Sequence, residues 1–173
     1  MKNFVSVLSV LLLTSWAGIA HAGLMGATVG ADFYYPNDTS LYCSNGTKTV
    51  DATVEYPTSC SGFSVVSIDV SDTQVIVGHS GNSFASGSFN GFVLSVLSDL
   101  SITSLMYDAA ASTLGVTSYG FDASSAYFNF AGQLNGTAIF DINSSTNAAV
   151  PAPASIALIA LVIAAMGWHR KQA

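Results

Sequence analysis

Thr49-Val50-Asp51-Ala52-Thr53-Val54-Glu55-Tyr56 and, a little further on, Val66-Ser67-Ile68-Asp69-Val70-Ser71 alternate apolar with polar side chains. A strand sends successive side chains to opposite faces, so a period of two buries one face and wets the other. The first run is expected to turn Val50, Ala52, Val54 and Tyr56 inward, and the second Val66, Ile68 and Val70. Chains that repeat this pattern in short pieces fold as sheets packed on sheets.

Working outward, further strands are expected at 27–35, 74–78, 92–97, 102–107, 126–130 and 137–142. Between them lie turn clusters at Pro36-Asn37-Asp38, Ser71-Asp72, the Gly- and Ser-rich residues 78–91, and Asn135-Gly136. Asn-Gly accepts the positive φ of a two-residue hairpin turn, so Asn135-Gly136 is expected to join two strands. Residues 92–100 also read as a short helix, with apolar residues on several faces. The expected fold is all-β: a single antiparallel β-sandwich, jelly-roll-like, over residues 23–142, with a polar stalk at 143–149.

The two ends of the chain read differently. Residues 1–22 carry Lys2, an apolar stretch and Ala20-His21-Ala22, the three parts of a cleaved secretory signal peptide. Signal peptidase is expected to cut after Ala22, its small pockets filled by Ala20 and Ala22. At the other end, residues 154–168 form an uncharged run rich in Ala, Ile, Leu and Val. As a helix this run would be about 22 Å long, short of a hydrocarbon core of roughly 30 Å. Pro151 and Pro153 stop any helix from extending backwards. Arg170 and Lys171 would stay on the cytoplasmic side of a membrane. A plain C-terminal membrane anchor is one reading of this segment.

The order Val150-Pro151-Ala152-Pro153, apolar run and basic Arg170-Lys171 resembles the PEP-CTERM sorting signal of Gram-negative bacteria that make exopolysaccharide. Ala152 stands where that signal commonly has Glu, so the resemblance is to its VPAP variant. It implies export through the inner membrane and a short transmembrane sorting helix read by an exosortase-type membrane protease. Delivery would be to the envelope, surface or extracellular matrix, with transient or permanent anchoring. The intervening layout resembles a recurrent cargo of that system: an early Gly-x-x-Val, Val50 to Val54-Glu55, Phe89-Asn90-Gly91, and closing strands in 121–130 and 136–141. The resemblance implies a fold and an address, with exopolysaccharide or biofilm as the setting.

Composition narrows the partners. Residues 23–149 hold all ten acidic side chains and one basic side chain, Lys48, a net charge of −9. Phosphate backbones are held by Lys and Arg, so no nucleic acid is expected as a partner. Cys43 and Cys60, an even pair in an exported domain, are expected to form a disulfide; free thiols holding a metal are the alternative.

No catalytic pattern is apparent, and the chain reads as non-enzymatic. His79 is the only histidine between the two terminal segments, no Gly-x-Ser-x-Gly elbow is present, and one His leaves zinc without a ligand set. His79, in a Gly/Ser stretch, is expected to be exposed. No cofactor is expected, with structural calcium near Asp69 and Asp72 the one exception weighed. Tyr34, Tyr35, Tyr42, Tyr107, Tyr119 and Tyr127 suggest sugar stacking if they gather, and buried strand packing if they do not. A glycan-binding or glycan-active protein is therefore the alternative to a non-enzymatic matrix protein. A hydrolase would need two carboxylates facing each other across a cleft.

Overall fold

The computed structural model describes residues 23–60 and 65–146. Within them the chain forms nine strands: β1 Thr28–Tyr34, β2 Leu41–Thr49, β3 Val66–Val70, β4 Gln74–Ser83, β5 Gly91–Val96, β6 Leu100–Tyr107, β7 Ser118–Phe121, β8 Ser125–Asn129 and β9 Leu134–Thr146. They make a five-stranded sheet in the order β2-β1-β5-β8-β7 and a four-stranded sheet in the order β3-β4-β9-β6. Every pairing in both is antiparallel. The arrangement is all-β and sandwich-like, with no helix among the described residues.

The period-two pattern accounts for the core. Val29, Ala31 and Phe33 of β1 are buried while their neighbours are half-exposed, and Val66, Ile68 and Val70 of β3 repeat the pattern. The sheets meet through aromatic rings. Phe92 of β5 stacks on its cross-strand partner Phe128 of β8 at 4.7 Å, and Phe128 meets Phe140 of β9 edge-on at 4.6 Å. Phe92, Phe128, Phe130 and Phe140 are fully buried. Burying each stabilises the fold by roughly 1.5–3 kcal/mol.

Several expectations need correction. The 49–56 run is not a strand beyond Thr49; it leaves β2 and crosses towards the other sheet, touching it in one bridge, Tyr56 to Ile68. Val50 and Tyr56 are buried as expected, but Val54 is exposed and Glu55 is buried. The Glu55 carboxylate accepts the Val70 N–H at 2.6 Å and the Asp51 N–H at 3.1 Å. A carboxylate that satisfies two backbone donors outweighs a period-two pattern in an irregular segment.

Asn135-Gly136 makes no hairpin. It lies inside β9, where Gly136 takes a φ of 145° and Thr113 occupies the space of a missing Cβ. β4 runs on to Ser83, through the first part of the expected 78–91 loop. Residues 91–96 are strand, as expected, and the alternative short helix does not form. β9 continues to Thr146 and pairs with β6, so 143–146 belong to a sheet rather than a stalk. The remainder of the stalk, 147–149, lies outside the described residues.

Candidate functional site

The end of the molecule where β1 and β2 face β3 and β4 holds a cleft of about 280 Å³. Phe33 comes from the core face of β1, Tyr35 follows that strand, and Tyr42 comes from β2. Val66 of β3 and His79 of β4, direct cross-strand partners, form the opposite wall. Phe84 and Ala85, just past β4, and Asn90, just before β5, close the inner side. Ser59, Cys60, Val65 and Ser83, the last residue of β4, complete the lining.

The rings are ordered. Phe84 lies 4.3 Å from the His79 imidazole and 5.2 Å from Phe130, stacks on Phe33 at 6.5 Å, and Phe33 meets Tyr42 edge-on at 6.4 Å. Aromatic pairs in this range add roughly 0.5–1.5 kcal/mol beyond their buried area.

The disulfide frames the cleft. Cys43 in β2 is bonded to Cys60, with Cα atoms 5.7 Å apart, and the Cys60 N–H donates to Asn45 Oδ1 at 2.7 Å. This pairing agrees with the expectation from sequence, and it anchors the crossing segment on the edge strand.

His79 does not sit where the sequence placed it. Val75, Val77 and His79 are alternate residues of β4, all buried, and His79 is 7% exposed rather than an open loop residue. Burial pushes its pKa below the ordinary value, so the ring is neutral near pH 7. The i, i+2, i+4 spacing from Val75 carried this signal, which the surrounding Gly and Ser obscured.

Polar satisfaction is uneven around the cleft. Asn90 is anchored at two points: its backbone N–H donates to Asn129 Oδ1 at 3.0 Å and its side-chain Nδ2 to the Ala85 carbonyl at 2.9 Å. His79 Nδ1 and Ser59 Oγ are buried with no partner, as is Asn45 Nδ2 nearby. An unmet buried polar group costs about 1–3 kcal/mol. Among the described residues no carboxylate, Lys or Arg lines the cleft. The site offers neutral hydrogen-bonding groups on an aromatic wall.

The tyrosines divide. Tyr35 and Tyr42 reach the cleft, Tyr107 and Tyr119 pack around Phe140, Tyr34 meets Phe89, and Tyr127 lies over Gly120. Asp72, weighed for calcium, accepts the Met25 N–H at 3.2 Å, and among the described residues no three acidic, His or Cys side chains converge on a metal position. Ala20 and Ala22, and Val150, Pro151, Ala152, Pro153, Arg170 and Lys171, lie outside the described residues. Among those described, no helix is long and apolar enough to cross a membrane.

The chain matches no protein-family model, no curated protein and no solved structure. Its function therefore rests on the residues themselves.

Proposed function

We propose that this chain is an exported, non-enzymatic surface or matrix protein, sorted by an exosortase-type system and associated with exopolysaccharide or biofilm. The observation that carries the reading is the Cys43–Cys60 disulfide. Such a bond persists in oxidising compartments, which a signal peptide ending at Ala22 would supply. The domain fits as a jelly-roll-like β-sandwich, with five of its eight strand connections passing between sheets. Low charge, with hydroxyl and amide side chains on the surface, suits a hydrated matrix.

In this reading the apolar run 154–168 holds the domain at the inner membrane while the protease reads Val150-Pro151-Ala152-Pro153. Arg170 and Lys171 keep the end of the chain cytoplasmic. The test is the intact mass of the surface protein from cells with and without the matching exosortase. A mass lacking the tail only where the protease is present is the expected result. Recovery of Trp168 to Ala173 on the surface protein would mean a plain membrane anchor instead.

The second reading, a glycan-binding protein, is favoured by one feature: Tyr35 and Tyr42 meet at the cleft. Retention of the protein on a column of the host's own polysaccharide, lost on substituting both with Ala, would support it.

A further inference from the structure

Gly78 lies inside β4, between β3 and β9. Val77 and His79 on either side of it are buried, so position 78 faces outward from the sheet. Its partners across the sheet, Ser67 and Thr137, keep an unbroken register, so no bulge explains a glycine here. Its φ is outside the left-handed region, so the backbone would accept any residue. A Cβ at this position would meet only the Ser67 side chain, Oγ at 2.6 Å, and a serine hydroxyl can turn away. Glycine weakens a strand interior. Where neither bulge nor backbone requires it, it marks the close approach of a ligand or of another backbone. The missing side chain leaves a trough of about 580 Å³ on the outer face, bordered by Ser67, Ser80, Thr113, Asn135 and Thr137. Among the described residues no carboxylate, Lys or Arg borders it, and its one ring is the neutral imidazole of His79.

We propose that this trough binds a neutral saccharide, with one sugar unit seated over Gly78. Each sugar hydroxyl both donates and accepts, and so does each hydroxyl of Ser67, Ser80, Thr113 and Thr137. Thr113 Oγ1 accepts the Thr137 N–H at 2.9 Å and keeps its proton to donate. The Asn135 amide adds a donor and an acceptor on one group. Acidic ligands are disfavoured, because no cation borders the trough and residues 23–149 carry ten acidic side chains against one basic. The same charge opposes a second copy of the chain. A peptide strand would need a free sheet edge, and β4 is paired on both sides. Gly23 and Thr146 border one hollow at the far end of the fold, and Thr137 stands about 30 Å from Thr146 along β9. The trough is thus remote from the points where the terminal segments join. A saccharide here shares its ligand class with the second reading above, but these five bordering residues are not those of the aromatic cleft.

The experiment titrates maltotriose, cellotriose, mannotriose and trigalacturonate into the exported protein and follows amide shifts by nuclear magnetic resonance. At least one neutral trisaccharide should saturate, with shifts centred on Ser67, Gly78 and Thr137, while trigalacturonate leaves those amides unmoved. Gly78→Val should fold, since the Ser67 hydroxyl turns aside, and should lose saturable binding. Thr137→Val removes one hydroxyl at nearly constant shape, so affinity should fall several-fold, to about tenfold at most. Tyr35→Ala combined with Tyr42→Ala should leave the titration unchanged, which separates this trough from the cleft. The proposal is overturned if no neutral sugar saturates, if trigalacturonate binds better than they do, or if binding survives both Gly78→Val and Thr137→Val. Shifts that centre on Tyr35 and Tyr42 and vanish in the double variant also overturn it, and leave the cleft as the saccharide site.

Discussion

Tyr56 and its neighbour Glu55 show how single residues set the geometry of the crossing segment. The Tyr56 hydroxyl donates to the carbonyls of Val29 and Gly46, both at 3.1 Å, and ties the crossing to β1 and β2. Burial pushes its pKa up to about 12, helped by the negative charges of Glu55 and Asp32. In the unfolded chain the phenol loses its proton near pH 10. Because the folded value is higher, this residue's contribution is complete below about pH 10 and is lost as pH rises towards about 12. The native protein should therefore lose stability across that window in urea titrations. Tyr56→Phe should be less stable at pH 8 by roughly 1–2 kcal/mol, from the lost hydrogen bonds, and should show a flatter alkaline slope. An unchanged slope in the variant would remove Tyr56 as the source.

At the scale of elements, β2 is the strand the disulfide must hold. It is an edge strand, exposed along most of its length, and Gly46 takes a φ of 70° where the register between β1 and β2 shifts. The Cys43–Cys60 bond closes a loop of 17 residues and constrains the unfolded chain by about 3 kcal/mol in the loop-entropy model. Reduction is expected to lower stability by about that amount, and Cys43→Ser/Cys60→Ser should reproduce the loss without reductant. Hydrogen exchange should then rise first in β2 and in residues 50–60. Uniform exchange across both sheets would mean that the bond stabilises the whole fold and has no local effect.

This same strand marks the limit of what the sequence shows. β1, β3, β5 and β8 are legible because their buried residues alternate with wetter ones against a second sheet. β2 buries too little to show a period, and its Asn45-Gly46 looks like a hairpin turn although it forms a bulge. The opposite error occurs at Val50–Tyr56, where alternation is present but Glu55, not Val54, has the buried partners. β7 is four residues long and mostly exposed, too short for any period to show. The disulfide was legible because only two cysteines exist. The cleft was not, since its lining comes from four strands and their connections, and no local window holds more than a part.

For the whole molecule, the expected processing site lies next to residues that are packed into the fold. Leu24, fully buried, donates its N–H to the Asp72 carbonyl at 2.9 Å, and Met25 donates to the Asp72 side chain. The Asp72 carboxylate occupies the space that a Cβ at Gly23 would need. If signal peptidase cuts after Ala22, as the sequence leads one to expect, the new α-amino group belongs to Gly23 and arises beside that carboxylate. Processing would then add an attractive charge pair at the point where the N-terminal segment joins the β3–β4 hairpin. N-terminal sequencing of the exported protein should read from Gly23. Asp72→Asn should cost the processed protein up to about 1 kcal/mol from the exposed pair, and less in a form extended before Gly23. Gly23→Ala should destabilise both forms, because the Asp72 side chain must move and give up the Met25 N–H. Equal effects of Asp72→Asn in the processed and extended forms would show that the new amino group takes no part. A sequence starting at Met1 would remove the processing step itself.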